Sequence, residues 1–93
     1  MKVYQIDYDL RNRRDYQPLY QRIESYPMWC HPLESTWVIA TESSAIQVRD
    51  HLKGAMDHDD GILVTRLKGE AAWDNLNPKV GNYLKDLLER QAA

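Results

Sequence analysis

The segment VYQIDYDL at residues 3–10 decides the fold class, because its side chains alternate in character. The residues that fall on one side are Tyr4, Ile6, Tyr8 and Leu10, and those that fall on the other are Val3, Gln5, Asp7 and Asp9. Alternation with a period of two, in β-branched and aromatic residues, predicts a strand with one packed face and one more polar face.

Outward from this strand, helical and strand-like segments follow one another. We predict helices at 16–26 and 45–56, strands at 28–31, 35–41 and 62–67, and a last helix that opens at Asn77-Pro78. Asp15 is the expected N-cap of the first helix, Pro32 is expected to cut the second strand, and Ser44 with Gln47 has the spacing of a capping box. The order β-α-β-β-α-β predicts an α+β, ferredoxin-like fold, an antiparallel sheet with both main helices on one face. Residues 1–69 would form this core and 70–93 a C-terminal extension, within a single domain.

Composition limits the class of protein. The chain has 93 residues, 43% of them hydrophobic, and a net charge of −2, which argues against a wholly basic protein that coats nucleic acid. No apolar run approaches the roughly 20 residues of a membrane helix. The single Cys30 excludes a disulfide framework and a four-cysteine zinc site. Because Met1 leads directly into strand-like sequence, we expect no signal peptide and a cytoplasmic protein.

The predicted topology leaves one face of the sheet without a cover. Two helices would pack on the side of Tyr4 and Ile6, so the side of Val3 would need a partner. A second copy of the chain is the first expectation, since two-fold homodimers are the commonest closed assemblies. The alternative is that the C-terminal helix folds back and covers this face within one chain.

Two carboxylates on the polar face of the first strand are the first candidates for chemistry. Asp7 and Asp9 are about 7 Å apart along one strand and could share a hard cation such as Mg²⁺, directly or through water. The alternative is that Asp9 caps the following turn or pairs with a nearby arginine. The arginines considered are Arg11, Arg13, Arg14 and Arg66.

Short motifs within about residues 1–69 resemble a known family. Tyr8-Asp9-Leu10 closes the first strand, an arginine-rich turn follows, and Ser35-Thr36-Trp37-Val38 opens the third strand. This pattern resembles CRISPR-associated protein 2 and its VapD-like ribonuclease relatives, and is closest to the uncharacterised relatives labelled SinR-family.

The resemblance implies a ferredoxin-fold homodimer in which the first-strand aspartate faces its mate. It also implies that this aspartate holds Mg²⁺ and takes part in phosphodiester cleavage. It maps the catalytic positions onto Asp9 and Ser35. The chain departs from the family at Leu33, where a glutamine is often found. Some members of the family are adaptors whose nuclease residues are dispensable, so the fold does not carry the activity with it.

The turn that follows the first strand holds the basic cluster of the chain, Arg11, Arg13 and Arg14. These side chains could bind the phosphates of RNA or DNA. They could equally form a solvated turn, because nearby aspartates cancel much of the positive potential.

Three other groups have simpler interpretations. Residues 57–61, DHDDG, predict a tight turn and not an EF-hand. Cys30 and His31 are neighbours on a strand and point to opposite faces, so they cannot form a nucleophile–base pair. Trp29 and Trp37 are expected as core or interface anchors, more than as platforms for nucleic-acid bases.

Three classes of function therefore remain at this stage. The first is an Mg²⁺-dependent endonuclease, and the second is a non-catalytic nucleic-acid-binding dimer. The third is a protein-interaction or adaptor dimer, for example in a toxin–antitoxin pair, with the C-terminal helix as its docking surface.

Overall fold

The computed structural model describes residues 1–11 and 16–92 and has the predicted order of elements. The strands are β1 (Lys2–Asp9), β2 (Met28–Leu33), β3 (Thr36–Thr41) and β4 (Gly61–Arg66), and the helices are α1 (Gln17–Ile23), α2 (Ala45–Lys53) and α3 (Pro78–Ala92). The prediction of an α+β fold with an antiparallel sheet is confirmed.

The four strands form one antiparallel sheet in the order β2-β3-β1-β4. β1 is central, and its register places Asp7 between Thr36 of β3 and Leu63 of β4. Asp9 lies opposite Gly61, at the end of the pairing between β1 and β4. The carboxyl end of β1 therefore meets the start of β4 and the start of β3.

One face of the sheet carries the larger core, under α1 and α2. Its buried side chains come from β1, β3 and the two helices: Tyr4, Ile6, Tyr8, Leu19, Ile23, Trp37, Ile39, Val48 and Leu52. α2 begins with the predicted capping box, in which the Ser44 side chain accepts from the Gln47 backbone N–H and the Gln47 side chain accepts from the Ser44 N–H. This reciprocal cap fixes the start of α2 and the direction in which its apolar side chains face the sheet.

The opposite face is covered in part by α3. Val3, Cys30, Val38 and Ala40 of the sheet pack against Leu84, Leu87 and Leu88 of the helix. The expectation that this face is bare is therefore wrong where β2, β3 and the first residues of β1 lie under α3. The structure shows the alternative, in which the C-terminal helix folds back onto the sheet of its own chain. The end of β1 and the outer part of β4 lie beyond this cluster. No helix of the described residues has the length and apolarity needed to cross a membrane.

Two local predictions need correction. Pro32 does not end β2, which runs on to Leu33 with a register irregularity after Cys30. β2 is an edge strand, where a residue without an N–H can be accommodated. α1 is shorter than predicted and begins after Tyr16, which makes no side-chain cap. The predicted cap, Asp15, lies outside the described residues.

Candidate functional site

The exposed end of β1 carries Asp9, whose carboxylate lies 3.5 Å from Nε of Arg11. The sequence allowed Asp9 to pair with one of several arginines, and the structure shows the pair with Arg11. Both side chains are largely exposed, so the ion pair is solvent-screened and contributes little to stability. Asp9 remains accessible to a ligand that approaches from solvent.

Arg11 is tied to the turn that precedes β4. Its Nη1 donates to the carbonyl oxygen of Asp59 at 2.9 Å, and its backbone N–H donates to Oδ1 of Asp60 at 2.9 Å. Arg11 thus has a defined place beside Asp9. The other two members of the basic cluster, Arg13 and Arg14, lie outside the described residues.

Asp7 is held in place by two neighbours on its own face of the sheet. Thr36 Oγ1 donates to Oδ1 at 2.6 Å, and Gln5 Nε2 donates to Oδ2 at 2.9 Å. Asp7 and Asp9 then line one side of a shallow groove of about 300 Å³ that Leu63 borders. Sequence analysis missed Gln5 and Thr36. The period of two places Gln5 beside Asp7, but only the register of β3 brings Thr36 there.

Ser35 and Asp9 line a common cleft of about 120 Å³ at the end of β1. The turn between β2 and β3 places Ser35 there, and the Ser35 carbonyl accepts from the Tyr8 N–H at 3.3 Å. Three tyrosines complete the cleft: Tyr8, Tyr16 and Tyr20. The structure thus brings the two predicted catalytic residues together.

Tyr8 is the buried member of these tyrosines and cannot serve as a base near neutral pH. Its hydroxyl donates to the Glu34 carbonyl at 3.2 Å and accepts from Trp37 Nε1 at 3.2 Å. Burial raises the pKa of Tyr8 well above its usual range. The sequence indicated Tyr8 as a core residue and gave no signal that it also lines this cleft.

Residues 57–60 form a turn before β4, as predicted. The Asp60 side chain is buried, and its two oxygens accept from the backbone N–H groups of Arg11 and Asp57. The Lys53 ammonium donates to the carbonyl oxygens of Asp57, His58 and Asp60. Carboxylate oxygens of the three aspartates at 57, 59 and 60 lie within 4.8 Å of one another. An internal lysine therefore already supplies positive charge to this turn.

Cys30 and Trp37 are buried side chains of the two cores. Cys30 is buried against α3, and burial raises the pKa of its thiol to about 11, so the reactive thiolate is scarce at neutral pH. His31, on the other face, stacks on Trp37 with ring centroids 3.9 Å apart. Trp37 is buried, as expected of a core anchor, whereas Trp29 remains partly exposed on the edge strand.

A larger cleft of about 350 Å³ lies between the sheet, α3 and the segment that precedes it. Its apolar walls include Leu33, Trp73 and Leu84, and its polar end includes Gln5 and Thr36. Because Gln5 and Thr36 also bond to Asp7, this cleft adjoins the carboxylate site.

No protein-family model matches the chain, and no solved structure matches it at a significant level. The class that the structure defines is an α+β domain with a four-stranded antiparallel sheet and a third helix on the second face.

Proposed function

We propose that the fold is ferredoxin-like and that the protein is a nucleic-acid-associated homodimer that cleaves phosphodiester bonds with the help of Mg²⁺. The fold assignment is supported by the element order and by a central β1 flanked by β3 and β4. The function is supported above all by one observation, the shared cleft of Asp9 and Ser35 at the exposed end of β1.

Asp9 also lines the neighbouring groove with Asp7, and the donor set of that groove fits a hard cation. Asp7 and Asp9 offer carboxylate oxygens from one face of one strand, the ligand type that Mg²⁺ prefers. A bound Mg²⁺ would neutralise charge on the scissile phosphate and lower the pKa of a coordinated water. Gln5 and Thr36 keep Asp7 in one orientation, and Arg11 lies beside Asp9, where its guanidinium would bind a phosphate oxygen.

A cleavage assay tests this proposal. Labelled RNA and DNA are incubated with Mg²⁺ or Mn²⁺ and with wild type, Asp9→Asn or Asp86→Asn, the last a matched change at an exposed carboxylate of α3. We expect Asp9→Asn and chelator each to reduce cleavage at least about 100-fold, since loss of a mere outer-shell partner already costs 10- to 100-fold. Asp86→Asn should cleave like wild type.

Two results would reject the catalytic proposal. Cleavage that persists in Asp9→Asn and in chelator would identify a contaminating nuclease. Absence of cleavage by wild type with either metal would leave a binding protein. Salt-sensitive binding that weakens in Arg11→Gln would then identify a non-catalytic nucleic-acid-binding dimer.

The second candidate function is a non-catalytic adaptor dimer, and the apolar cleft of about 350 Å³ favours it. The apolar side chains of α3 pack against the sheet of the same chain, so they are not free to bind a partner. The docking surface proposed here is therefore the cleft beside Trp73 and not the helix. A stoichiometric partner that is lost with Trp73→Ala and kept with Lys79→Ala would support this function. Equal binding by both variants would reject it.

A further inference from the structure

The outer edge of β4 is an open row of backbone hydrogen-bonding groups. The Leu67 N–H donates to the Val3 carbonyl, and the antiparallel register carries this pairing along the odd-numbered residues of β4. The N–H and C=O groups of Ile62, Val64 and Arg66 therefore point away from β1. Within residues 1–11 and 16–92, no strand pairs with this edge.

Exposed apolar side chains flank this edge. Leu63 of β4 is 61% exposed, and Ile46 of the neighbouring α2 is 62% exposed. Grooves run along both sides of the strand, one of about 270 Å³ between α2 and β4 and the other beside Asp7 and Asp9. The middle of β4, residues 62–65, carries no charge. Uncharged apolar edges of this kind pair with another strand unless something blocks them.

The charges at the two ends of β4 indicate which strand fits. The turn before β4 holds three aspartates, at 57, 59 and 60, whereas Arg66 and Lys68 stand at its other end and are exposed. Arg11 and Lys53 offset part of the acidic charge. An antiparallel copy of the same strand would place each acidic end beside the basic end of its mate, a complementary arrangement.

We propose that β4 pairs antiparallel with β4 of a second copy, about a two-fold axis at Val64, to form one continuous eight-stranded sheet. This register uses every outward group of Ile62, Val64 and Arg66, which gives about six backbone hydrogen bonds, two for each of three residue pairs. In this register Leu63 lies beside Thr65 of the second copy.

The inference rests on the homodimer of the proposed function but not on its chemistry. A two-fold perpendicular to the sheet keeps the two Asp9 side chains on the same face, roughly 25 Å apart by strand rise and spacing. Each carboxylate site is then complete within one chain. This arrangement differs from the one that the family resemblance implies, in which the two aspartates face each other.

Sedimentation equilibrium at low salt tests the pairing by charge reversal. The samples are wild type, Lys68→Glu, Asp59→Lys, an equimolar mixture of the two variants, and Lys79→Glu as a matched control near the opposite edge of the sheet. Each variant alone places like charges at both ends of the interface. The mixture restores opposite charges at both ends.

We expect the wild type to be a dimer and each single variant to have a dimer dissociation constant about tenfold higher. In the mixture the dissociation constant should return towards the wild-type value. Lys79→Glu should behave like wild type. A wild-type dimer that is indifferent to both reversals would overturn the β4 interface and leave the homodimer of the proposed function standing. A wild-type protein that is still monomeric at about 100 μM would overturn both the β4 interface and the homodimer. The cleavage assay tests the chemistry separately.

Disulfide trapping tests the register. Val64→Cys places two thiols across the two-fold, with Cα atoms about 5.5 Å apart, within the range of a disulfide. In Thr65→Cys the corresponding atoms are about 8 Å apart, too far for an unstrained bond. Cys30 is buried and gives little background. We expect rapid dimer cross-linking in Val64→Cys alone, and equal or faster cross-linking in Thr65→Cys would overturn this register.

Discussion

Leu87→Ala tests whether α3 stabilises the sheet of its own chain. Leu87 is 1% exposed and packs with Val3 and Val38 on the second face of the sheet. Removal of its isobutyl group leaves a cavity between a helix and a sheet, two rigid elements that cannot close around it fully. The loss therefore includes both the transfer term and the cavity term.

The expected loss is about 3 kcal/mol, within the 2 to 5 kcal/mol range of buried leucine-to-alanine changes. A domain of this size has roughly 5 to 14 kcal/mol of total stability, so the change removes a large share of it. The thermal midpoint should fall by about 12 to 24 °C. The matched control is Leu33→Ala, which removes the same group from an exposed leucine and should cost below about 0.5 kcal/mol.

Urea unfolding followed by circular dichroism measures both losses. The variants are made in the Lys68→Glu background, in which the dimer is expected to be about tenfold weaker, and are measured well below its dissociation constant, so that the loss reports on packing within one chain. A loss below about 1 kcal/mol for Leu87→Ala, comparable to that of Leu33→Ala, would refute the conclusion that α3 stabilises its own sheet.

Three further predictions concern single residues, each measured by unfolding. Ser44→Ala removes the capping box of α2 and should cost about 1 kcal/mol. Lys53→Met removes the ammonium that donates to three carbonyl oxygens of the acidic turn, of which that of Asp57 keeps the Asp60 N–H as a donor, and should cost about 2 kcal/mol. No loss would mean that water replaces the ammonium. Burial raises the pKa of Cys30 from 9.0 to about 11, so the folded state keeps this proton longer than the unfolded state. Stability should be complete below pH 9 and fall as the pH rises towards 11, and Cys30→Ala should reduce that fall.

Local patterns in the chain were sufficient for most of the fold. Alternation in residues 3–10 predicted β1 and which of its side chains face the core under α1 and α2. Ser44 with Gln47 predicted the start of α2. Asn77-Pro78 predicted the start of α3, where Asn77 Oδ1 accepts from the Lys79 N–H. These features act over at most a few residues, so their physical causes are visible in the sequence.

The candidate site was predictable only in part. Asp7 and Asp9 were identified because residues two apart on one strand share a face by geometry. The ion pair of Asp9 with Arg11 was one of several pairings that the sequence allowed. The partner of Asp7, Thr36, is 29 residues away in the chain, and no local rule selects it.

The sequence by itself determined the order of the elements, the packed face of β1 and the positions of the carboxylates, because hydrophobic period and capping act along the chain. The tertiary structure alone decided that α3 covers part of the Val3 face, that Pro32 is tolerated in β2 and that Ser35 and Asp9 line one cleft. These outcomes depend on strand order and register, and on which apolar stripe meets which sheet face. Such contacts join residues far apart in the chain, and their free energy exists only once the packed layers have formed.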